Sequence, residues 1–305
     1  MKKLSLIIAT YNRAAQVIET LRSIVAQSAP ASLWECVVVN NNSTDDTIEA
    51  VEQFITEHRS FDIRLVTETK QGLSHARNCG IDNSSAPIIA IIDDDELILP
   101  PFIASYIDFF ETHPHVASAG GGIVAVYRSE RPRWMTKYTE IPIANPIDLG
   151  DTPRPFPSGK IPGGGNMAIR RAAIERYGAF DPELGRRGES LIGGEESNLF
   201  QRLREGGEEC WWVPNAVMHH LIPNSKLGLD YLTKLWFNIG VSAARRGEIE
   251  GVGQLSVRLN EAAKWCATLL LSIIYIVSLA PSRAKYLILM RHHITRGIYS
   301  FRPSK

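Results

Sequence analysis

The sequence predicts an α/β fold, with a mostly parallel sheet flanked by helices and a helical extension at the C-terminus. Three observations lead there. Short runs of consecutive apolar, largely β-branched residues recur at 4–9 (LSLIIA), 35–39 (ECVVV) and 88–92 (IIAII). Amphipathic stretches of helical length lie between them, and each run stops abruptly at a polar break. The composition agrees: 44% hydrophobic and 22% charged residues in 305 suit a buried core. They exclude a disordered chain, a collagen-like repeat and a disulfide scaffold. With 33 Lys+Arg against 33 Asp+Glu the net charge is zero, which gives no case for binding nucleic acid. The four cysteines, Cys36, Cys79, Cys210 and Cys266, form no CxxC pair, which argues against a zinc site and suits a reducing compartment. The N-terminus turns polar after a short apolar run and lacks a signal-peptide pattern, so a cytoplasmic location is expected.

Taken in order, residues 4–9 form a strand buried on both faces, broken by Thr10-Tyr11-Asn12-Arg13. Val17, Leu21, Ile24 and Val25 then fall on one helical face. A second strand at 35–39 ends in Asn40-Asn41-Asn42-Ser43, and a helix with Ile48, Val51 and Ile55 inward follows, capped by Thr44 or Asp45. A third strand covers 63–66, a helix 74–81, and a fourth strand 88–92 ends in Asp93-Asp94-Asp95-Glu96. Ligands of such sheets bind beyond the carboxyl ends of the strands, so the polar breaks converge on one crevice. Seven of the 17 prolines lie within 132–162, which predicts a loop-rich, non-helical stretch. Regular structure resumes at 163–169, with helices at 171–177 and from about residue 194. The expected organisation is a 1–225 domain, divided into halves at 1–100 and 101–225, followed by a 226–305 extension.

That extension is distinctive. The last acidic residue is Glu261, and residues 262–305 carry a net +7, leaving −7 for the rest. Residues 265–280 (WCATLLLSIIYIVSLA) are almost wholly apolar and close at Pro281. Sixteen helical residues reach about 24 Å, short of a ~30 Å hydrocarbon core. Interfacial or re-entrant membrane contact, a short span and a buried core helix all fit this pattern.

Three adjacent carboxylates at a strand end repel one another unless a cation compensates. Hard oxygen donors of this kind select Mg²⁺ or Mn²⁺, which also takes phosphate oxygens from a substrate. On a continuing strand, Asp93 and Asp95 would point one way and Asp94 the other. A phosphatase of the haloacid-dehalogenase type expects paired aspartates on its first strand, with Thr or Val two residues after the second; here the cluster follows the fourth strand and that position is Leu97.

The ordered set SLIIATYNR, VVVNNNSTDDT, QGLSHARNCGI, IIDDDE, GGGNMAIRR, GGEESNLFQRL and VPNAVMHH, across roughly residues 1–222, resembles the family 2 glycosyltransferases of the GT-A fold. The resemblance implies hexosyl transfer from a nucleotide-diphospho-sugar, with inversion and a Mn²⁺ or Mg²⁺ cofactor. The acceptor would be a glycan or lipid-linked glycan at the inner face of the cell membrane, with peripheral membrane contact. It implies donor contacts from Thr10, Tyr11, Arg13, Asn41, Gly72, Arg77, Asp93, Asp94 and Asn166. Asp95, with Asp93 and His219 or His220, would meet the metal. The base that accepts the acceptor's hydroxyl proton falls on Glu196, with Glu195 as the alternative. Family members commonly carry Asp where this chain has Asn40, and Glu-Asp where it has Glu195-Glu196. Trp134, Trp211 and Trp212 could stack on sugar faces, although core packing explains each as well. Two rivals remain: a nucleotidylyltransferase, whose glycine-rich basic loop TYNRAAQ does not supply, and a catalytically silent nucleotide-sugar-binding or scaffold protein.

Overall fold

A computed structural model describes residues 1–188, 191, 193–249 and 251–302. The chain divides into two compact units. The first comprises residues 1–125, 146–183 and 195–221, and the second 126–145, 184–194 and 222–305.

The first unit is built on β1 (Leu4–Thr10), which lies between β2 (Trp34–Asn40) and β4 (Ile88–Asp93), parallel to both. β3 (Ile63–Thr67) extends the parallel set beyond β2. On the other side, β8 (Met167–Arg170) runs antiparallel to β4. With β5 (Glu96–Ile98), β6 (Ser118–Tyr127), β7 (Arg154–Pro155) and β9 (Cys210–Ile222), the sheet runs β3-β2-β1-β4-β8-β6-β9-β5, and β7 pairs with β9.

The buried runs are continuous because both faces of the sheet are covered. Leu4, Leu6, Ile8, Cys36, Val38, Ala90 and Ile92 face one core with α1 (Ala14–Val25), α2 (Thr47–Glu57) and α4 (Phe102–Thr112). Ile7, Val37, Val39, Ile89 and Ile91 face the other with α3 (Leu73–Asp82), α6 (Arg171–Tyr177) and α7 (Glu195–Glu205). That second layer places the start of α7 beside α3, though the two are far apart in sequence. The α2 helix begins at Thr47, and the Asp45 carboxylate accepts its backbone N–H at 3.1 Å.

The expectation of a non-helical 132–162 stretch is corrected by α5 (Lys137–Ala144), in the second unit. Thr136 and Thr139 cap it reciprocally: the Thr139 hydroxyl accepts the Thr136 N–H and the Thr136 hydroxyl accepts the Thr139 N–H. Pro142 sits inside the helix, which stops two residues later. The rest of the second unit is chiefly α8 (Leu229–Ile249), α9 (Gln254–Val277) and α10 (Pro281–Ser300). Residues 265–277 of the apolar run are thus the later part of a 24-residue helix, 278–280 turn the chain, and α10 opens with Pro281 in its first turn.

Candidate active site

The loops after β1 and β2 are tied together before any ligand is considered. Asn12, at φ 53°, accepts the Thr44 N–H on Oδ1 at 2.7 Å, while its own N–H donates to the Ser43 hydroxyl. The Arg13 N–H donates to the Thr47 hydroxyl at 3.1 Å. Thr10 is buried at the end of β1 and Tyr11 is exposed.

Arg13 Nη1 donates to Asp94 Oδ1 at 2.8 Å and to Asp95 Oδ2 at 3.0 Å. β4 ends at Asp93, and Asp94-Asp95 form the turn into β5. Strand alternation therefore stops there, and the expected pairing of Asp93 with Asp95 on one side is corrected. Burial pushes the Asp94 carboxyl up to about 6, against the pull of Arg13 and with the push of Asp95.

Asp93 belongs to a second cluster. Arg77, fully buried on α3, donates through Nη2 to Asp93 Oδ1 at 3.0 Å and to the Gly164 carbonyl at 3.3 Å. Its Nη1 donates to Oε1 of both Glu195 and Glu196, each at 3.1 Å. The guanidinium lies 5.3 Å from the centre of the Phe180 ring. One cation thus serves three carboxylates, and their environments differ. The Glu195 side chain is 3% exposed and that of Glu196 21%. Burial and the neighbouring Glu196 charge push Glu195 up to about 8. Glu196 is held below its ordinary value because the attraction of Arg77, with hydrogen bonds from Glu195 and Arg77, outweighs its desolvation. The two environments thus push the pair apart, Glu195 toward its neutral form and Glu196 toward its charged one.

The glycine strip 163–165 makes this packing possible. A Cβ on Gly164 would fall 2.0 Å from Glu196 Oε1, and one on Gly165 would fall 2.1 Å from Glu96 Oε2. Glu96, which sequence reasoning passed over, is buried and accepts the Asp93 N–H at 2.9 Å. The run of three glycines was the available signal, since such runs mark close backbone approach.

Two expected donor contacts have other tasks. Asn41 donates to the carbonyls of Glu68 and Lys70 and accepts the Gly72 N–H at 2.7 Å, which fixes the loop entering α3. Gly72 itself stands at φ 147°, a value open to glycine. Asn166 is fully buried; it donates to the carbonyls of Gly122 and Ala216 and accepts from the Tyr106 hydroxyl at 2.6 Å. It locks the sheet from within.

Of the two histidines, His220 approaches the acids, with Nε2 3.9 Å from Asp95 Oδ1. His219 is paired with Leu97, one step out of register with His220, so strand alternation turns it to the other face. Among the described residues no group of three or more His, Cys, Asp or Glu side chains is gathered for a metal ion. The nearest approach to one is Asp95 with His220, where the Asp95 carboxylate is also bonded to Arg13. The tryptophans pack against protein: Trp211 lies near Phe109 and His113, Trp212 is buried and donates to the Gly150 carbonyl, and Trp134 stacks on Tyr286 at 4.1 Å.

Comparison with known proteins gives a consistent result. The succinoglycan biosynthesis protein ExoM of Rhizobium meliloti is 28% identical over 78% of this chain and 73% of its own length. The glucosyl-dolichyl phosphate glucuronosyltransferase of Haloferax volcanii is 23% identical over 75% of this chain and 72% of its own. Among solved structures, the mannosyltransferase PcManGT from Pyrobaculum calidifontis, in complex with GDP-Man and Mn²⁺, superposes with a TM-score of 0.66 at 21% identity, covering 98% of this chain and 86% of that one. S. aureus TarS 1–349 in complex with UDP-GlcNAc gives 0.57 at 16% identity, covering 98% and 91%. These structural likenesses establish the GT-A fold. The model of glycosyl transferase family 2 matches residues 5–178, more than half of the chain, and the protein belongs to that family.

Proposed function

We propose that the protein moves a hexosyl group from a nucleotide-diphospho-sugar to a hydroxyl of a glycan or lipid-linked acceptor, with inversion. The reaction would take place at the cytoplasmic face of the cell membrane, where the C-terminal region makes peripheral contact. The observation that carries the chemistry is the unequal pair on Arg77: Glu195 is sealed and its carboxyl pushed up by burial, while Glu196 is partly open and held low by Arg77. In this reading the acceptor hydroxyl donates to Glu196 while its oxygen attacks the anomeric carbon. The bond from that carbon to the diphosphate oxygen breaks, its electron pair leaves with the nucleoside diphosphate, and the proton stays on Glu196. Arg77, itself anchored on the Gly164 carbonyl, holds the carboxylate in place. Thr10, Tyr11, Arg13 and the loop fixed by Asn41 would line the nucleotide. Mn²⁺ or Mg²⁺, held through Asp95 and His220, would when bound neutralise charge on the diphosphate.

The test is a panel of nucleotide sugars scored by thermal stabilisation, with and without Mn²⁺ or Mg²⁺. A ligand at 100 times its Kd adds about 2.7 kcal/mol to the folded state. The expected result is one donor that stabilises the protein only with the metal. A protein that no nucleotide-diphospho-sugar stabilises contradicts the proposal, and donor binding without turnover on any acceptor points to the silent binder.

A further inference from the structure

The helix α9 is built inside out. The residues it buries are polar: Glu261, Thr268 and Ser272. Glu261 meets Arg291 Nη1 at 3.0 Å and accepts from the Thr295 hydroxyl at 2.7 Å, and the Trp265 indole donates to the same hydroxyl. These contacts fasten α9 to α10. Its exposed large apolar residues are Leu255, Leu259, Leu269, Leu270, Ile273, Ile274, Ile276 and Val277, which a 3.6-residue period places on one broad face nearly half the helix around, with exposed Cys266 among them. A water-facing helix has the reverse pattern.

Two further observations say what covers the stripe. The second unit holds 18 Lys and Arg against 7 Asp and Glu, so it carries +11 and the first unit −11. A surface of like charge repels a second copy of itself, whereas an anionic lipid surface attracts it. At the end of α9, Leu279 occupies the left-handed position of a helix-ending turn, at φ 56°, where glycine is usual. The Ala280 N–H closes that turn on the Tyr275 carbonyl, and Leu279 is 91% exposed. A leucine thus stands in an unfavourable conformation with its side chain turned away from the described residues, and exposed Arg283 and Lys285 follow within six positions.

At 24 residues and about 36 Å the helix is long enough to cross a bilayer. Its attachment to α10 decides against that, because a crossing would carry Arg283, Lys285 and Arg296 into hydrocarbon. We propose that α9 lies in the plane of an anionic phospholipid bilayer, its Leu/Ile stripe and Leu279 among the upper acyl chains and Arg283 and Lys285 on the lipid phosphates. This deepens, and rests on, the membrane contact in the function proposed above.

The experiment uses the full chain and vesicles of phosphatidylcholine, with and without phosphatidylglycerol. Flotation is expected only with phosphatidylglycerol. Ile273→Glu/Val277→Glu should weaken it by at least about tenfold and Arg283→Gln/Lys285→Gln several-fold, with the circular dichroism of both unchanged. Leu279→Gly should move two readouts in opposite directions, raising Tm and lowering vesicle binding; a purely structural role moves only the first. Nitroxides at Cys266, Leu259→Cys and Ile273→Cys should report one shallow depth. A depth that peaks along the helix, with binding resistant to alkaline carbonate, shows a span and overturns the proposal while leaving membrane contact intact. Failure to float, with a dimer broken by Ile273→Glu, overturns both and shows a second copy on the stripe.

Discussion

Placing a single methyl group on Gly164 separates the position of Glu196 from its chemistry. The backbone at 164 is not left-handed, so alanine brings no conformational strain of its own. The added Cβ would sit 2.0 Å from Glu196 Oε1 and 2.8 Å from its Cδ. Ordinary contact between such atoms is about 3.5 Å, so the carboxylate must move by more than about 1 Å. That movement pulls it off Arg77 Nη1, now at 3.1 Å, and loses a charge-assisted hydrogen bond worth about 1.5–3 kcal/mol. A displacement of about 1 Å at a reacting group lowers turnover about 10²-fold. Gly164→Ala should therefore show kcat reduced by that factor, measured as release of nucleoside diphosphate, with donor Kd from calorimetry unchanged. Gly253→Ala is the control, since its Cβ meets nothing within 4 Å. Wild-type kcat in Gly164→Ala would refute the placement of Glu196 as the reacting group.

Glu195→Gln imitates the protonated carboxyl and should keep most of the turnover. It should also change the pH dependence of stability. Between about 4.5 and about 8 the native chain holds a proton on Glu195 that the unfolded chain has released, so wild-type stability falls as pH rises through that window. The variant lacks this slope, and its advantage in urea unfolding should grow up to about pH 8. Asn166→Ala leaves the Tyr106 hydroxyl and the carbonyls of Gly122 and Ala216 without their partner. It should cost about 2–4 kcal/mol in urea midpoints while sparing donor Kd at low temperature, because the residue acts inside the sheet. Loss of donor binding at full stability would return Asn166 to the pocket.

What could be read from the sequence follows from how far apart the interacting residues lie. β1, β2 and β4 are legible because strands covered on both faces need unbroken apolar runs, and Leu4, Leu6 and Ile8 supply one face while Ile7 supplies the other. The α7 start is legible from the glycines before Glu195. Hidden from the sequence are the partners of those acids. Arg77 and Glu195 are 118 positions apart, and nothing local tells that one guanidinium serves both glutamates and Asp93. The turn at Asp94-Asp95 was hidden for a related reason: a strand end and a tight turn share the same acidic letters. α5 was masked by proline density, although its Thr136 and Thr139 caps stand in the sequence. In α9 the apolar run was visible, but which side packs on α10 is fixed by distant partners, Arg291 and Thr295 on Glu261 and Thr295 on Trp265.

The central claim is that ionised Glu196, steadied by Arg77 beside a protonated Glu195, takes the acceptor's proton. Glu196→Gln keeps the size and the hydrogen-bonding oxygen of the side chain and removes its charge. Measured with the donor found by the panel, this variant should bind that donor with unchanged Kd and lose turnover by about 10²–10⁴-fold. Turnover within a few-fold of wild type at unchanged donor affinity would contradict the account.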